Sequence, residues 1–566
     1  MIAVAAVAAT VLAGCGAPSH AAKGKGSPAA KAGTRATPSP GGMPGLTPAA
    51  RAASLVARLG DEDLVGQVLM PFAYGADATR VSPAVVAANQ KYAGVDTPAD
   101  MIAKYRLGGL ILVNWSVGDP TAGTNATSNL ASAAQVRTLT GGLQTAAGRL
   151  PATVPLLIGT DQEYGVVNRL QAGVTQLPSA LALGAAAAPE LTEAAWRAAG
   201  TDLRTVGINV DFAPDSDVIS QAGGVIGSRS YGSDPKAVSD QVAAAVRGLQ
   251  GAGVAATLKH FPGHGHTTAD SHTSLPVLSQ SRDALGSGDL PPFAAGIGAG
   301  ADLVMSGHLD VRSVDPNVSA SFSAKVLVDL LRGQLGFPGV VITDAMNMAP
   351  AERYPPGEAA VRALRAGNDL LLMPPDPAAA QRGLLDAVRD GSLPKARLVE
   401  AVTRILTLKL RLADQAEPAP GGLDGADRQA AAARVAAAAV TVLRGRCTGP
   451  LVTGPVRVTS SGGRDQQRSW LSDALRAQRV PVTASGGTEV RLVGYGDEAS
   501  DLGSGAAVTV GMDLPFVLRS AASPTILSTY SGSQPSMVAL AAVLAGTARA
   551  PGRSPVEVPG LPRSAC

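Results

Sequence analysis

The sequence predicts a TIM-type (β/α)8 barrel followed by a smaller three-layer α/β sandwich domain. Three observations predict it. Short apolar runs alternate with stretches of helical period, eight such runs occur between residues 49 and 413, and polar residues gather just past the carboxyl ends of the runs. A continuously apolar run marks a strand buried on both faces, as parallel strands beneath helices are. Eight in βα alternation close as a barrel.

The runs are "VGQVLMPFAY" from Val65, "LGGLILVNW" from Leu107, "VPLLIGTDQE" from Val154 and "GINVDFAP" from Gly207. They continue with "GVAATLKHFPGHG" from Gly253, "ADLVMSGHLD" from Ala301, "GVVITDAMNM" from Gly339 and "NDLLLMPPD" from Asn368. Helical stretches such as Pro189 to Val206, Pro235 to Gly251 and Ser323 to Leu335 separate them. Asp161, Glu163, Asp211, Lys259, His260, His308 and Asp344 all fall at or just beyond the carboxyl end of a run, which in a barrel is the catalytic face. After the barrel, residues 414–427 are Pro/Gly-rich and read as a linker. Residues 428–566 carry strand-like runs from Val456, Glu489, Ala507 and Thr525 with helix-like segments between them, and no catalytic constellation.

Residues 2–14 form one apolar run, the length of a signal-peptide core and too short to span a bilayer. "LAGC", Leu12 to Cys15, resembles the bacterial lipobox, although no Lys or Arg precedes the run. It implies removal of residues 1–14, lipid attachment at Cys15 and residence on the outer face of the cell membrane, or secretion. Residues 15–48, rich in Ala, Pro, Gly, Ser and Lys, read as a disordered tether. No later segment has the run of about 18 apolar residues that a membrane helix needs. Of the 3 cysteines, Cys447 and Cys566 remain to pair in an exported protein, and the sequence leaves that pairing open. The net charge of +3 gives no reason to expect a nucleic-acid partner, and the chain is expected to act as a monomer.

The segment richest in chemistry is "LKHFPGHGHTTADSHTSLPVL", Leu258 to Leu278, which holds His260, His264, His266 and His272 of the 6 histidines. Three readings compete. The loop is structural, with each imidazole satisfied locally; or His264, His266 and His272 hold zinc; or Asp270 and His272 form an acid/base dyad. In the last case the carboxylate fixes the tautomer of the imidazole, leaving the other nitrogen to shuttle a proton. Such a dyad needs a group that forms or stabilises an intermediate, and Asp344 at the end of "VVITD" is the best placed.

"KHFPGHG…ADSH" together with "TDAMNM" resembles glycoside hydrolase family 3, and within it the bacterial β-N-acetylglucosaminidases that process peptidoglycan fragments. "GTDQEYGVVNRL" (Gly159 to Leu170), "GINVDFAPDSDV" (Gly207 to Val218) and "IGSRSYGSDP" (Ile226 to Pro235) extend the likeness over most of the barrel. "TYSGSQPSMVALAAVLAG" and "PGRSPVEVPGL" are similar to the second domain of longer members. The resemblance implies a retaining β-N-acetylhexosaminidase that removes terminal β-linked N-acetylglucosamine from a carbohydrate substrate, a cell-wall glycan or muropeptide. It implies Asp344 as nucleophile and Asp270 with His272 as the acid/base dyad, in place of the second carboxylate of most glycosidases. It also implies Asp161, Arg169, Arg229, Lys259 and His260 as the groups that bind the sugar.

No metal or organic cofactor is required by this scheme. Alternatives are a phosphorylase on the same scaffold, since an imidazole tolerates incoming phosphate better than a carboxylate does, and a non-catalytic sugar-binding lipoprotein. Two departures from the family pattern stand out: Tyr164 where Gly usually follows "DQE", crowding the sugar or altering the turn, and "DSDV", which adds Asp215. Asp211 is expected to support the rim, and His264 and His266 to brace the loop. His308 either lines the pocket or backs it, and Met346 and Met348 belong to the pocket wall or the core.

Overall fold

The structure, a computed structural model, describes residues 45–115, 119–220, 225–267, 269–416 and 422–566. The expected signal segment and Cys15, the expected site of lipid attachment, lie outside the described residues, as does the expected tether up to residue 44. Among the described residues, no helix is long and apolar enough to cross a membrane.

All eight apolar runs form strands of one parallel barrel. In chain order these are β1 (Leu69–Met70), β2 (Gly109–Ile111), β3 (Leu157–Thr160), β4 (Val210–Asp211), β5 (Ala255–Phe261), β6 (Leu303–Ser306), β7 (Val340–Thr343) and β8 (Leu371–Leu372). Strands β2 to β7 pair in sequence order, with Gly109 opposite Leu157, Gly159 opposite Val210, Val210 opposite Ala255, Thr257 opposite Leu303 and Leu303 opposite Val340. Closure comes from β1 and β8, where Leu69 faces Leu371. Ile111 N–H donates to the Pro71 carbonyl on one side and Thr343 N–H to the Leu370 carbonyl on the other. The strands are shorter than the apolar runs because each run also supplies the buried residues leading into and out of its strand.

The intervening helices follow the sequence closely. Pro189–Thr205 and Pro235–Gly251 begin with Pro, which fits the first turn because its missing N–H has no partner there. The Asp234 side chain caps the second of them by accepting from Ala237 N–H. The stretch expected as a helix over Ser323 to Leu335 is wound more widely, as a π-helix over Lys325–Gln334.

The helix Ala426–Ala439 starts within the segment expected as a linker and packs on the barrel helices Ala180–Ala186 and Pro189–Thr205. Beyond it comes a sheet of β9 (Thr441–Arg444), β10 (Val456–Ser460), β11 (Thr488–Val493), β12 (Val508–Gly511) and β13 (Thr525–Ser528), in the order β9-β13-β12-β11-β10. All pairs are parallel except β9 with β13. β9, the strand the sequence pattern did not announce, is a short run directly after an alanine-rich helix.

Helices Asp465–Ala477 and Gln534–Leu544 cover one face of this sheet. The other is covered by 3₁₀ turns at Ala499–Leu502 and Pro515–Ser520 rather than by α-helices. Cys447 and Cys566 are joined in a disulfide, which answers the pairing that the sequence left open. The sheet is seated on the barrel by an apolar cluster including Leu181, Ile219, Ile226, Tyr530 and Val556, and by the Ser179 hydroxyl donating to the Tyr530 carbonyl at 2.6 Å.

Candidate active site

The carboxyl ends of the barrel strands open into a small pocket at the catalytic face of the barrel. Asp161, Arg169, Arg229, Lys259, His260, Asp270, His272 and Asp344 all line it. Strand direction explains the convergence. Asp161 directly follows β3, Lys259 and His260 sit near the end of β5, and Asp344 directly follows β7. Asp270 and His272 come from the loop after β5, which folds over the mouth. Two glycines allow that loop to pack closely: a Cβ at Gly265 would lie 2.2 Å from the Val218 carbonyl oxygen, and one at Gly263 would lie 2.6 Å from the Asp289 Cβ.

The floor is a buried charge network. The Glu163 carboxylate receives Arg229 Nε at 2.6 Å and a second guanidinium nitrogen at 2.9 Å, with Lys259 Nζ at 2.6 Å. Burial pushes this carboxyl up, but the two cations outweigh it and hold Glu163 far below the usual carboxylate range. Lys259 also donates to Asp161 Oδ1 at 2.9 Å, and the two acids keep its ammonium charged against burial. Arg169 is bound to Asp119 and to the Thr121 hydroxyl. Both arginines are therefore committed to internal partners along part of their guanidinium edges, while Asp161 lines the cavity with its Oδ2 unpartnered among the described residues.

His260 is held by Asp217, 2.8 Å from Nδ1, while a guanidinium nitrogen of Arg229 approaches Nε2 at 3.3 Å. With Arg229 as donor, Nε2 accepts and Nδ1–H points to Asp217. Burial and the Arg229 charge lower His260 to about 4, so the ring is neutral at pH 7. Asp217 also accepts the backbone N–H of His264 at 2.6 Å, tying the start of the loop to the rim. Burial pushes Asp217 up to about 7 against these donors. Asp215 lies 3.9 Å from both Arg229 and His260.

At the mouth, Asp270 Oδ1 contacts His272 Nδ1 at 2.7 Å and accepts the His272 backbone N–H at 2.9 Å. Burial opposes ionisation of Asp270, but the His272 N–H and imidazole keep its carboxyl below the usual range. His272 Nε2 has no hydrogen-bond partner among the described residues. Asp344 is only 9% exposed; Oδ1 accepts Ala345 N–H at 2.8 Å, and Oδ2 has no partner among the described residues. Burial pushes Asp344 up, whereas the imidazoles of His260, His308 and His272 and the Ala345 N–H pull it below the usual range. An ionised carboxylate and an imidazole with one free nitrogen thus border the same space, which is the equipment of acid/base-assisted nucleophilic displacement.

The other sequence expectations resolve by contact. Asp211 is fully buried and accepts Gln162 N–H at 2.9 Å, a rim support. His308 is buried behind Asp344, with Nε2 3.0 Å from the Ala345 carbonyl. Met348 is pocket wall and Met346 core. Tyr164 does not crowd the cavity: its backbone turns into the left-handed region at φ 64° and its ring packs edge-on to Trp196 at 5.6 Å.

His264 lines the cavity while bonded to Thr267 and Ser271, and His266 pairs with Asp289. The three imidazoles weighed as zinc ligands therefore each have a partner of their own. Asp215, Asp217 and His260 place ligand atoms within 4.8 Å of one another, but the oxygens of Asp217 are already taken by N–H donors. Glu163 and Asp217 are the site residues to which the sequence assigned no role. Glu163 was visible only as an acid next to a strand end, and Asp217 only as part of the unusual "DSDV".

The model of the glycosyl hydrolase family 3 N terminal domain matches residues 65–408. The chain belongs to glycosyl hydrolase family 3. This family 3 glycoside hydrolase is 40% identical over 253 residues to a beta-hexosaminidase of Stenotrophomonas maltophilia, covering 43% of this chain and 73% of that one. It is 33% identical over 341 residues to beta-hexosaminidase A of Pseudoalteromonas piscicida; the match covers 56% of this chain and only 55% of that protein's length. Among solved structures it resembles a family 3 beta-N-acetylglucosaminidase from Paenibacillus sp. str. FPU-7. That likeness has a TM-score of 0.76 at 31% identity and covers 88% of this chain and 99% of the other.

Proposed function

We propose that the enzyme is a retaining β-N-acetylhexosaminidase that releases terminal β-linked N-acetylglucosamine from peptidoglycan-derived or related oligosaccharides. The observation that carries this reading is the Asp270–His272 dyad bordering the same cavity as Asp344. The terminal sugar enters the pocket with its outer hydroxyls against Asp161 and Lys259 and its ring against the imidazole of His260, and with Arg169 and Arg229 offering their remaining N–H groups. Asp344 attacks the anomeric carbon as His272 Nε2–H protonates the departing glycosidic oxygen. The imidazole, now neutral, takes a proton from water, which displaces Asp344 and restores the starting configuration. Lipid at Cys15 places the enzyme on the outer membrane face, where such glycans occur.

The test is turnover of nitrophenyl β-N-acetylglucosaminide with the product anomer followed by NMR. Release of the β-anomer, lost in Asp344→Asn, is the expected result. Turnover near wild type in that variant, an inverted product, or sugar 1-phosphate formed in preference to free sugar when phosphate is added would each overturn the reading. For the anchor, Cys15→Ser should move the protein from the membrane fraction to the soluble fraction.

A further inference from the structure

A second cleft, larger than the catalytic pocket, lies where the barrel meets the carboxyl-terminal sheet. It runs along the carboxyl ends of the parallel strands, since the segments after β10, β11, β12 and β13 reach it through Arg464, Tyr495, Asp513 and Tyr530. In open α/β sheets this edge is where ligands bind. The barrel supplies the opposing wall, and neighbouring residues divide the two cavities: Arg169 and Arg229 face the catalytic pocket, whereas Asn168 and Ser228 face the cleft.

The chemistry of the lining narrows the ligand. Asp513 is 7% exposed, with the Ser228 hydroxyl and the Leu514 N–H beside its carboxyl, and its Oδ1 makes no hydrogen bond among the described residues. Its carboxylate is the only acid that the described residues place in the wall of the cleft, and it supplies an acceptor there. Burial pushes this carboxyl up to about 6. The cation beside it is spent: Arg464 is bound to Asp497 at 2.8 Å and to the Tyr495 carbonyl at 2.8 Å. The side-chain amides of Gln466, Gln467 and Gln534 have no partner among the described residues, and the rings of Trp470 and Tyr495 stand beside them. Helices Asp465–Ala477 and Gln534–Leu544 start at this edge, but an anion would meet Asp513 with no unpaired cation to offset it. Amides exchange hydrogen bonds with hydroxyls, and aromatic faces pack on the C–H face of a sugar ring.

We propose that this cleft is a second saccharide-binding site, separate from the catalytic pocket, which holds a neutral oligosaccharide against Trp470 and Tyr495 while Asp513 accepts one of its hydroxyls. The site adds a hold on the glycan that does not depend on the bond being cut.

Calorimetric titration of a soluble chitin tetramer into Asp344→Asn, which prevents turnover, should resolve two sites per chain. Adding Trp470→Ala or Asp513→Asn should weaken one site by about tenfold or more and leave the other. Gln534→Ala, at an exposed position, repeats the test should either of those variants fail to fold. In the otherwise native chain, Trp470→Ala and Gln534→Ala should hydrolyse the nitrophenyl monosaccharide within about twofold of wild type. A single site indifferent to these substitutions overturns the proposal, as does a parallel loss of aryl-glycoside turnover. If the native chain fails to cleave the aryl substrate, the catalytic reading falls, while tetramer binding in the cleft is still decided by the titration.

Discussion

The carboxylate of Asp270 holds His272 twice, through the ring at Nδ1 (2.7 Å) and through the backbone N–H (2.9 Å). The double contact fixes both the tautomer and the direction of the imidazole, so that Nε2 is the nitrogen presented to the cavity.

Asp270→Asn keeps the shape but offers an amide in place of the anion, and the wrong tautomer of His272 becomes competitive. The expected outcome is a fall in kcat of about 100-fold to 10,000-fold, the range for loss of a general acid/base, with KM little changed. Steady-state kinetics on the nitrophenyl glycoside measure it. A drop confined to KM would place Asp270 in substrate binding instead.

Glu163→Leu removes the shared counter-ion of two buried cations, Arg229 and Lys259. Breaking a buried pair on one side costs about 3–5 kcal/mol. Denaturant unfolding should report a loss of that size, together with weakened sugar binding as the two side chains relax. Retained stability would mean that Asp161 and Asp215 suffice as partners.

His264 gives a pH signature. Burial lowers its imidazole to about 3. Between about pH 3 and 6.5 the unfolded chain therefore binds the proton that the folded chain refuses, so stability rises with pH in that window and is lost on acidification. His264→Gln removes this dependence. Calorimetric unfolding should show wild type losing about 2 kcal/mol relative to the variant on going from pH 6.5 to pH 5. An advantage independent of pH would contradict the assignment.

The Cys447–Cys566 bond closes a loop with a sequence separation of 119 within the carboxyl-terminal domain. Cys447→Ser, or reduction, should cost about 2–5 kcal/mol by restoring freedom to the unfolded chain. Thermal unfolding of that domain should shift downward. Aryl-glycoside turnover at 25 °C should persist, because the eight residues expected at the catalytic site all lie in the barrel.

The barrel was legible in the sequence because burial on both faces writes itself as continuous apolar runs, and all eight runs became strands. The convergence of Asp161, Lys259 and Asp344 was legible for a related reason, since residues near or just past the carboxyl ends of parallel strands share one end of the barrel, whereas His272 was legible through the loop motif it shares with the family. What the sequence hid depends on contacts between distant segments. Asp217 sits in an unusual tetrapeptide, and only the fold shows that it bonds the N–H groups of His260 and His264. Likewise, the cleft beside Asp513 draws its walls from the barrel and from four separate turns of the second sheet. No local pattern marks such a place.

The meeting of Leu69 with Leu371 has a consequence for how the molecule is made. The first and last staves are separated by nearly the whole barrel sequence, so the ring cannot shut until Met373 has been synthesised and released, and non-local pairing of this kind is slow. Until then both flanking edges stay unpaired and open to strand addition by neighbouring chains. Fragments ending before Leu371 should therefore precipitate, not persist as smaller enzymes.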